Sequence, residues 1–237
     1  MSTVLSVDNL CKQYPTFCLN NVSFTMQSGE IMGFIGRNGA GKTTTLKSLL
    51  NLVHPTSGKI EFFGMSWEKH EQEIKQRIGY ASGGVNYYPM KQLKEIVATT
   101  RTFYPNWDEK AYRSYLDRFS LDETKRPKQL SEGMKVKFNL TIALSHHAEL
   151  LLLDEPTSGL DPVSRNDLLE VFSDLAAEGI AILFSTHITS DLDRCANSIT
   201  YIRRGKIIAS ERKDNFIRVC GGGNLEDIML RIEKEAE

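Results

Sequence analysis

Gly36-Arg37-Asn38-Gly39-Ala40-Gly41-Lys42-Thr43 decides the reading of this chain. The stretch fits GxxxxGK[ST]. It follows a short apolar run, residues 30–35 (EIMGFI), and precedes residues 43–52, which carry Leu46, Leu49 and Leu50 on one side of a helix. A strand entering the turn and a helix leaving it is the context in which the motif has physical content. Glycines let the backbone turn tightly, so several N–H groups point at one phosphate group. The helix N-terminus adds its partial positive charge. Lys42 is placed to reach the β/γ-phosphates of a nucleotide, and the Thr43 hydroxyl to ligate Mg²⁺. Thr44 and the intervening Arg37, Asn38 and Ala40 complete the candidate loop. Taken alone, the motif also fits a glycine-rich turn without a ligand.

A second stretch bears on that choice. Residues 150–153 are four leucines, and they run into Asp154-Glu155. A carboxylate at the end of a buried strand is costly unless it faces an ion or a partner. Asp154 suits a metal, directly or through water. Glu155 suits a base that orients and activates an attacking water. The alternative is a helix-capping acid with a solvated neighbour, which leaves its pairing with the glycine loop a coincidence.

Working outward, strands and helices alternate. Residues 22–26 alternate apolar and polar as a half-buried strand does, and 59–63 (KIEFF) read as another, stopped by Gly64. Residues 71–78 read as a short helix, with a strand at Ile78-Gly79-Tyr80. From 87 to 148 helical spacing takes over. Ala111, Tyr112, Tyr115, Leu116 and Phe119 form one stripe, with Asp108 as N-cap. A further helix opens after Ser131 and carries Met134, Phe138 and Ile142. The α/β pattern resumes with a helix over 164–177 closed by Gly179, a strand over 180–184 and a hairpin over 199–209. Cys220 to Asn224 (CGGGN) reads as a flexible joint before a helical tail.

Composition sets limits. The chain has 237 residues, with 29 Lys plus Arg against 30 Asp plus Glu, a net charge of −1. That balance gives no global positive field for nucleic acid. No apolar run approaches the ~20 residues that span a bilayer, and MSTVLSVDNL does not read as a secretory signal. The 4 cysteines include no CxxC pair, which fits free thiols in a reducing compartment. The adjacent His146-His147 read as surface residues.

The two stretches, with four further motifs, resemble the ATP-binding-cassette (ABC) ATPases over nearly the whole chain. Leu130-Ser131-Glu132-Gly133-Met134 is similar to the family signature, commonly LSGGQ. Glu155-Pro156-Thr157-Ser158-Gly159-Leu160-Asp161-Pro162 is similar to its D-loop. Ser185-Thr186-His187 is similar to its switch histidine motif, and Tyr14 to the aromatic that stacks on adenine; Tyr14 beside Pro15 also fits simple packing on the domain edge.

The resemblance implies an α/β P-loop NTPase with a RecA-like core, an N-terminal antiparallel β-subdomain and an inserted α-helical subdomain. On that reading residues 1–237 form one ABC ATPase domain. The β-subdomain and core take 1–84 and 148–215, the helical subdomain 85–147 and a C-terminal tail 216–237. ATP and Mg²⁺ are the implied ligands. Lys42, Glu155 and His187 are the implied catalytic groups, with Thr43 and Asp154 at the metal. Tyr14, Gly36, Arg37, Asn38, Gly39, Ala40, Gly41, Lys42, Thr43 and Thr44 are the implied nucleotide contacts. Ser131 and Gly133 are to face the γ-phosphate held by a second cassette, so that ATP closes a head-to-tail dimer and hydrolysis opens it.

The implied partners are a second ABC ATPase subunit and a transmembrane permease, with no nucleic acid; the implied place is the inner face of the cell membrane. Phe103-Tyr104-Pro105-Asn106-Trp107 and Asn224-Leu225-Glu226-Asp227-Ile228 make the chain most similar to bacterial export-type cassettes with a separate permease, an ABC-2-like partner. A soluble non-transport ABC ATPase and a weakly hydrolysing regulatory clamp are the alternatives. Residues 85–90 (VNYYPM), rich in aromatic and apolar side chains, are expected to seat a cytoplasmic helix of the permease. Two departures stand out. Glu132 sets an acid in the signature, tolerable if its side chain turns away. Gly83 stands where the family usually has glutamine and sometimes an acid, with Ser82 or Asn86 as substitutes, and slower or looser turnover is the expected consequence.

Overall fold

The computed structural model describes residues 2–82 and 88–234. The first part holds β1 (Thr3–Gln13), β2 (Cys18–Gln27), β3 (Ile31–Ile35), α1 (Lys42–Leu49), β4 (Ser57–Phe62), β5 (Met65–Ser66), α2 (Trp67–Arg77) and β6 (Ile78–Ser82). Next come α3 (Leu93–Thr100), α4 (Glu109–Arg118) and α5 (Glu132–Ser145). The rest alternates as β7 (Leu150–Asp154), α6 (Pro162–Ala177), β8 (Ala181–Thr186), α7 (Thr189–Cys195), β9 (Ser198–Arg203), β10 (Lys206–Arg212), α8 (Lys213–Val219) and α9 (Leu225–Lys234).

Two sheets result. A four-stranded antiparallel sheet runs β2-β1-β4-β5, and a six-stranded sheet runs β10-β9-β3-β8-β7-β6. In the larger sheet β6, β7, β8, β3 and β9 are parallel and only β10 is antiparallel. The apolar runs in β3, β7 and β8 follow from cover on both faces. Leu150 and Leu152 pack into one core with Phe24, Phe34 and Leu46; Leu151 and Leu153 pack into the other with Phe138, Phe172 and Phe184. Four consecutive leucines are thus a strand shared between two cores, because side chains alternate faces along it.

The parallel strands end along one edge. Ile35 lies level with Thr186, and Asp154 with Ser185. Ligands in open α/β sheets bind outside such carboxyl ends, and the glycine loop, the Asp154-Glu155 pair and His187 all leave from there.

Three expectations about the fold need correction, and one strand went unread. The helix over 71–78 is α2, which begins earlier at Trp67 and ends before Ile78, the first residue of β6. β1 had no counterpart in the reading; three register shifts against β2 break its alternation. The 220–224 bend is tied down: its three glycines take positive φ, and the Arg231 guanidinium donates to the Cys220 carbonyl at 2.9 Å. His146 is not a surface residue. It is 3% exposed, stacks on Tyr104 with ring centroids 3.9 Å apart, and places Nδ1 3.0 Å from the Gln76 carbonyl oxygen. Gly83 and residues 85–87 lie outside the described residues.

Candidate functional site

The loop between β3 and α1 is held by constraints that only its glycines meet. A Cβ on Gly36 would stand 2.3 Å from the Ile202 carbonyl oxygen. Gly41 caps α1 at φ +118, and a Cβ there would stand 2.7 Å from Leu19 Cδ2. No side chain caps α1, so its first N–H groups are left for a ligand's oxygens. Lys42 opens the helix and is 6% exposed. Its ammonium donates to the Gly36 carbonyl at 2.7 Å and pairs with Glu155 at 3.3 Å.

The acidic pair is built from β7. The Thr43 hydroxyl donates to Asp154 Oδ1 at 3.3 Å, and the Ser185 hydroxyl donates to the same oxygen at 2.6 Å. Ser185 also accepts the Glu155 N–H at 3.0 Å. Glu155 takes φ +51, the left-handed region that side chains other than glycine seldom occupy. The turn this makes aims its carboxylate at His187, whose Nδ1 is 2.8 Å from Glu155 Oε2.

A cavity of about 660 Å³ opens over these groups. Arg37, Asn38, Gly39, Gly41, Lys42, Thr43, Thr44, Glu155 and His187 line it. Gly36, Ala40 and Asp154 stand behind that lining. Tyr14 does not reach it. Its N–H donates to the Phe17 carbonyl at 2.8 Å in a tight turn, and that turn sends Phe17 and Thr16 to the wall instead. Ser131 and Gly133 are also absent from the wall. Ser131 caps α5, accepting the Met134 N–H at 3.3 Å, and Gly133 faces Leu160 and Ser164. Glu132 turns onto Lys135 at 2.6 Å, so the acid in the signature is paired within its own helix.

The sequence reading missed Phe17 and Glu233, and it quoted Ser158 and Ser185 only as parts of motifs, with no role of their own. Glu233, in α9, stands 3.6 Å from the Arg37 guanidinium and accepts the hydroxyl of the buried Tyr201. Phe17 was findable as a second aromatic in the turn that carries Tyr14. Nothing local to Glu233 signals a contact reaching back to residue 37.

Thr43 and Asp154 offer two hard oxygen donors bound to each other, a set that suits Mg²⁺, which takes one or two protein oxygens and completes its shell with phosphates and water. Among the described residues no group of three or more His, Cys, Asp or Glu is gathered for a metal, and no helix is long and apolar enough to cross a membrane.

Residues 19–158 match the ABC transporter family. The chain is 36% identical over 212 residues to the bacitracin transport ATP-binding protein BcrA of Bacillus licheniformis, covering 88% of this chain and 69% of that one. It is 35% identical over 228 residues to the lantibiotic transport ATP-binding protein SrtF of Streptococcus pyogenes, covering 95% of each. Among solved structures, an ATP-binding subunit of an ABC transporter superposes with a TM-score of 0.87 at 28% identity, covering 97% of this chain and 99% of that one.

Proposed function

This chain belongs to the ABC transporter family, and we propose that it works as one of two cassettes that close on ATP beneath a separate permease. It is an ATP-binding subunit of the export type and hydrolyses ATP to drive transport. The proposal concerns the residues that do this, the partners and the place.

Convergence of Lys42, Glu155 and His187 in one cavity carries the assignment of roles, at 3.3 Å and 2.8 Å. An incoming triphosphate competes with the Gly36 carbonyl and with Glu155 for the Lys42 ammonium. Transfer of Lys42 to the β/γ-phosphates frees the Glu155 carboxylate to accept a proton from water in line with the γ-phosphorus. His187 holds that carboxylate and reaches toward the γ-phosphate. The N–H groups of 36–44 stabilise charge on the phosphate oxygens without reorganising. Mg²⁺, held by Thr43 and Asp154, would neutralise charge on the β- and γ-oxygens.

Ser131 and Gly133 lie outside the cavity wall, and this supports a second cassette that brings its own signature to the nucleotide. The subdomain division stays as the sequence implies: 1–84 with 148–215, 85–147, and 216–237. For the permease, Tyr88 and Met90 are exposed. Tyr80, Phe103 and Pro105 line a groove, with Phe103 70% exposed. That apolar surface supports docking of a cytoplasmic permease helix and a position at the inner membrane face. Bacitracin and lantibiotics in the names of similar proteins make peptide antibiotics the cargo class to test first.

Glu155→Gln tests the roles. With the permease present, the variant should lose ATP turnover by about a hundredfold or more while binding ATP and forming a stable dimer by size-exclusion chromatography. A variant that stays monomeric in ATP, or that turns over normally, overturns the assignment.

A further inference from the structure

Between the glutamate and the histidine lies a buried contact that the mechanism above does not use. Asp191 sits in α7, four residues past His187, and is fully buried. Thr157 lies two residues past Glu155 and is equally buried. Its hydroxyl donates to Asp191 Oδ2 at 2.6 Å. Asp191 Oδ1 has no hydrogen-bond partner among the described residues. It faces Arg165 Nε, also unpartnered, at 3.9 Å. Arg165 lies in α6 and donates from Nη2 to the Leu160 carbonyl at 3.4 Å, the far end of the same turn.

A buried carboxylate is costly, and one that bonds a hydroxyl between a turn and a helix fixes both. Above it, His187 and Glu155 meet with partly exposed side chains, and that contact alone does not anchor either backbone. Glu155 is held in the left-handed region, a conformation that persists only where the surroundings over-determine it. Its own N–H is bonded to Ser185, on the β8 side. Thr157 supplies the next anchor along the chain, on the α7 side. We propose that Asp191 is a positioning residue: through Thr157 it locks the turn bearing Glu155 to the segment bearing His187, and Arg165 braces the other end of that turn. Burial pushes the Asp191 carboxyl up from its ordinary range, and the Thr157 hydroxyl opposes that shift.

The proposal rests on ATP hydrolysis at this site, and its test separates the two. Thr157→Val keeps the volume and removes the hydroxyl. In the transporter complex its kcat should fall about tenfold, the scale expected when a base is slightly misplaced. The KM for ATP and the ATP dissociation constant should stay within about twofold, because the phosphate loop is untouched. Thr157→Ser should restore most of the kcat. Asp191→Asn keeps an oxygen that accepts from Thr157, so it should lose less than Thr157→Val; its kcat should stay within about threefold of wild type, and a larger loss counts against the clamp even if the valine variant does not fold. Wild-type kcat in Thr157→Val, a KM rise matching the kcat loss, no rescue by serine, or an Asp191→Asn loss as large as that of Thr157→Val overturns the clamp. Absence of turnover in the wild type, or its survival in Glu155→Gln, counts against the site instead.

Discussion

Phe17, not Tyr14, presents an aromatic ring at the cavity wall, and the difference has a measurable consequence. The Tyr14–Phe17 backbone hydrogen bond closes a turn that directs residue 17 inward, toward Gly41 and the phosphate loop, where a Cβ on Gly41 would come 3.0 Å from Phe17 Cζ. Lys12 lies 5.4 Å from the Tyr14 ring centroid, so that ring already has a cation over its face. Base–aromatic stacking is worth ~1–3 kcal/mol, so Phe17→Ala should weaken ATP binding about tenfold. Tyr14→Ala should weaken it less, by titration with a fluorescent ATP analogue. The reverse order would restore Tyr14 as the base platform. At this scale the phosphate loop was legible, since each glycine answers a steric demand written into the spacing. Ser185 and Phe17 were not, because their roles depend on which way a turn points.

Elements were legible where one period ran unbroken. α5 shows both sides of this. Its apolar four-residue spacing and its serine cap were readable, and Ser131 does cap it. Its end near Ser145 was readable too, but the burial just past it was not, because His146 looks polar in sequence and is buried only by tertiary contact with Tyr104 and the end of α2. Burial is the leading cause that pushes the His146 pKa below its ordinary value of 6.5. The folded state therefore holds a neutral imidazole, and Nδ1 donates its proton to the Gln76 carbonyl. Above pH 6.5 neither state binds a proton and the contribution is intact. As pH falls below 6.5 the unfolded chain protonates first, and stability is lost down to the lowered folded value. Wild type and His146→Phe should thus differ in melting temperature by an amount that becomes less favourable to wild type between about pH 7.5 and 5.5. A pH-independent difference would mean that His146 titrates normally. β1 and α8 escaped for a different reason: bulges interrupt the alternation of one, and the other has only Phe216 fully buried in seven residues.

Across the molecule, a net charge of −1 hides a concentrated cationic point, the nearly buried Lys42 at the head of α1. One cavity gathers the phosphate loop, Glu155 and His187, while Ser131 and Gly133 stand apart beside α6. On the proposed pairing of two cassettes, a self-complementary pair would put each signature against the other's nucleotide, the arrangement an isologous two-fold dimer produces. Complementation can detect this. Lys42→Ala removes the charge that holds the phosphates but leaves the signature intact; Ser131→Arg does the converse. Each alone should be nearly inactive. In a 1:1 mixture reconstituted with permease, half the dimers are mixed, and each has one composite site complete out of two. Turnover should therefore recover to about a quarter of the wild-type rate if the sites act independently. Recovery should grow with the time allowed for subunit exchange. A mixture no more active than its components would mean that no signature is shared between copies of this chain, and that its partner cassette is a different polypeptide.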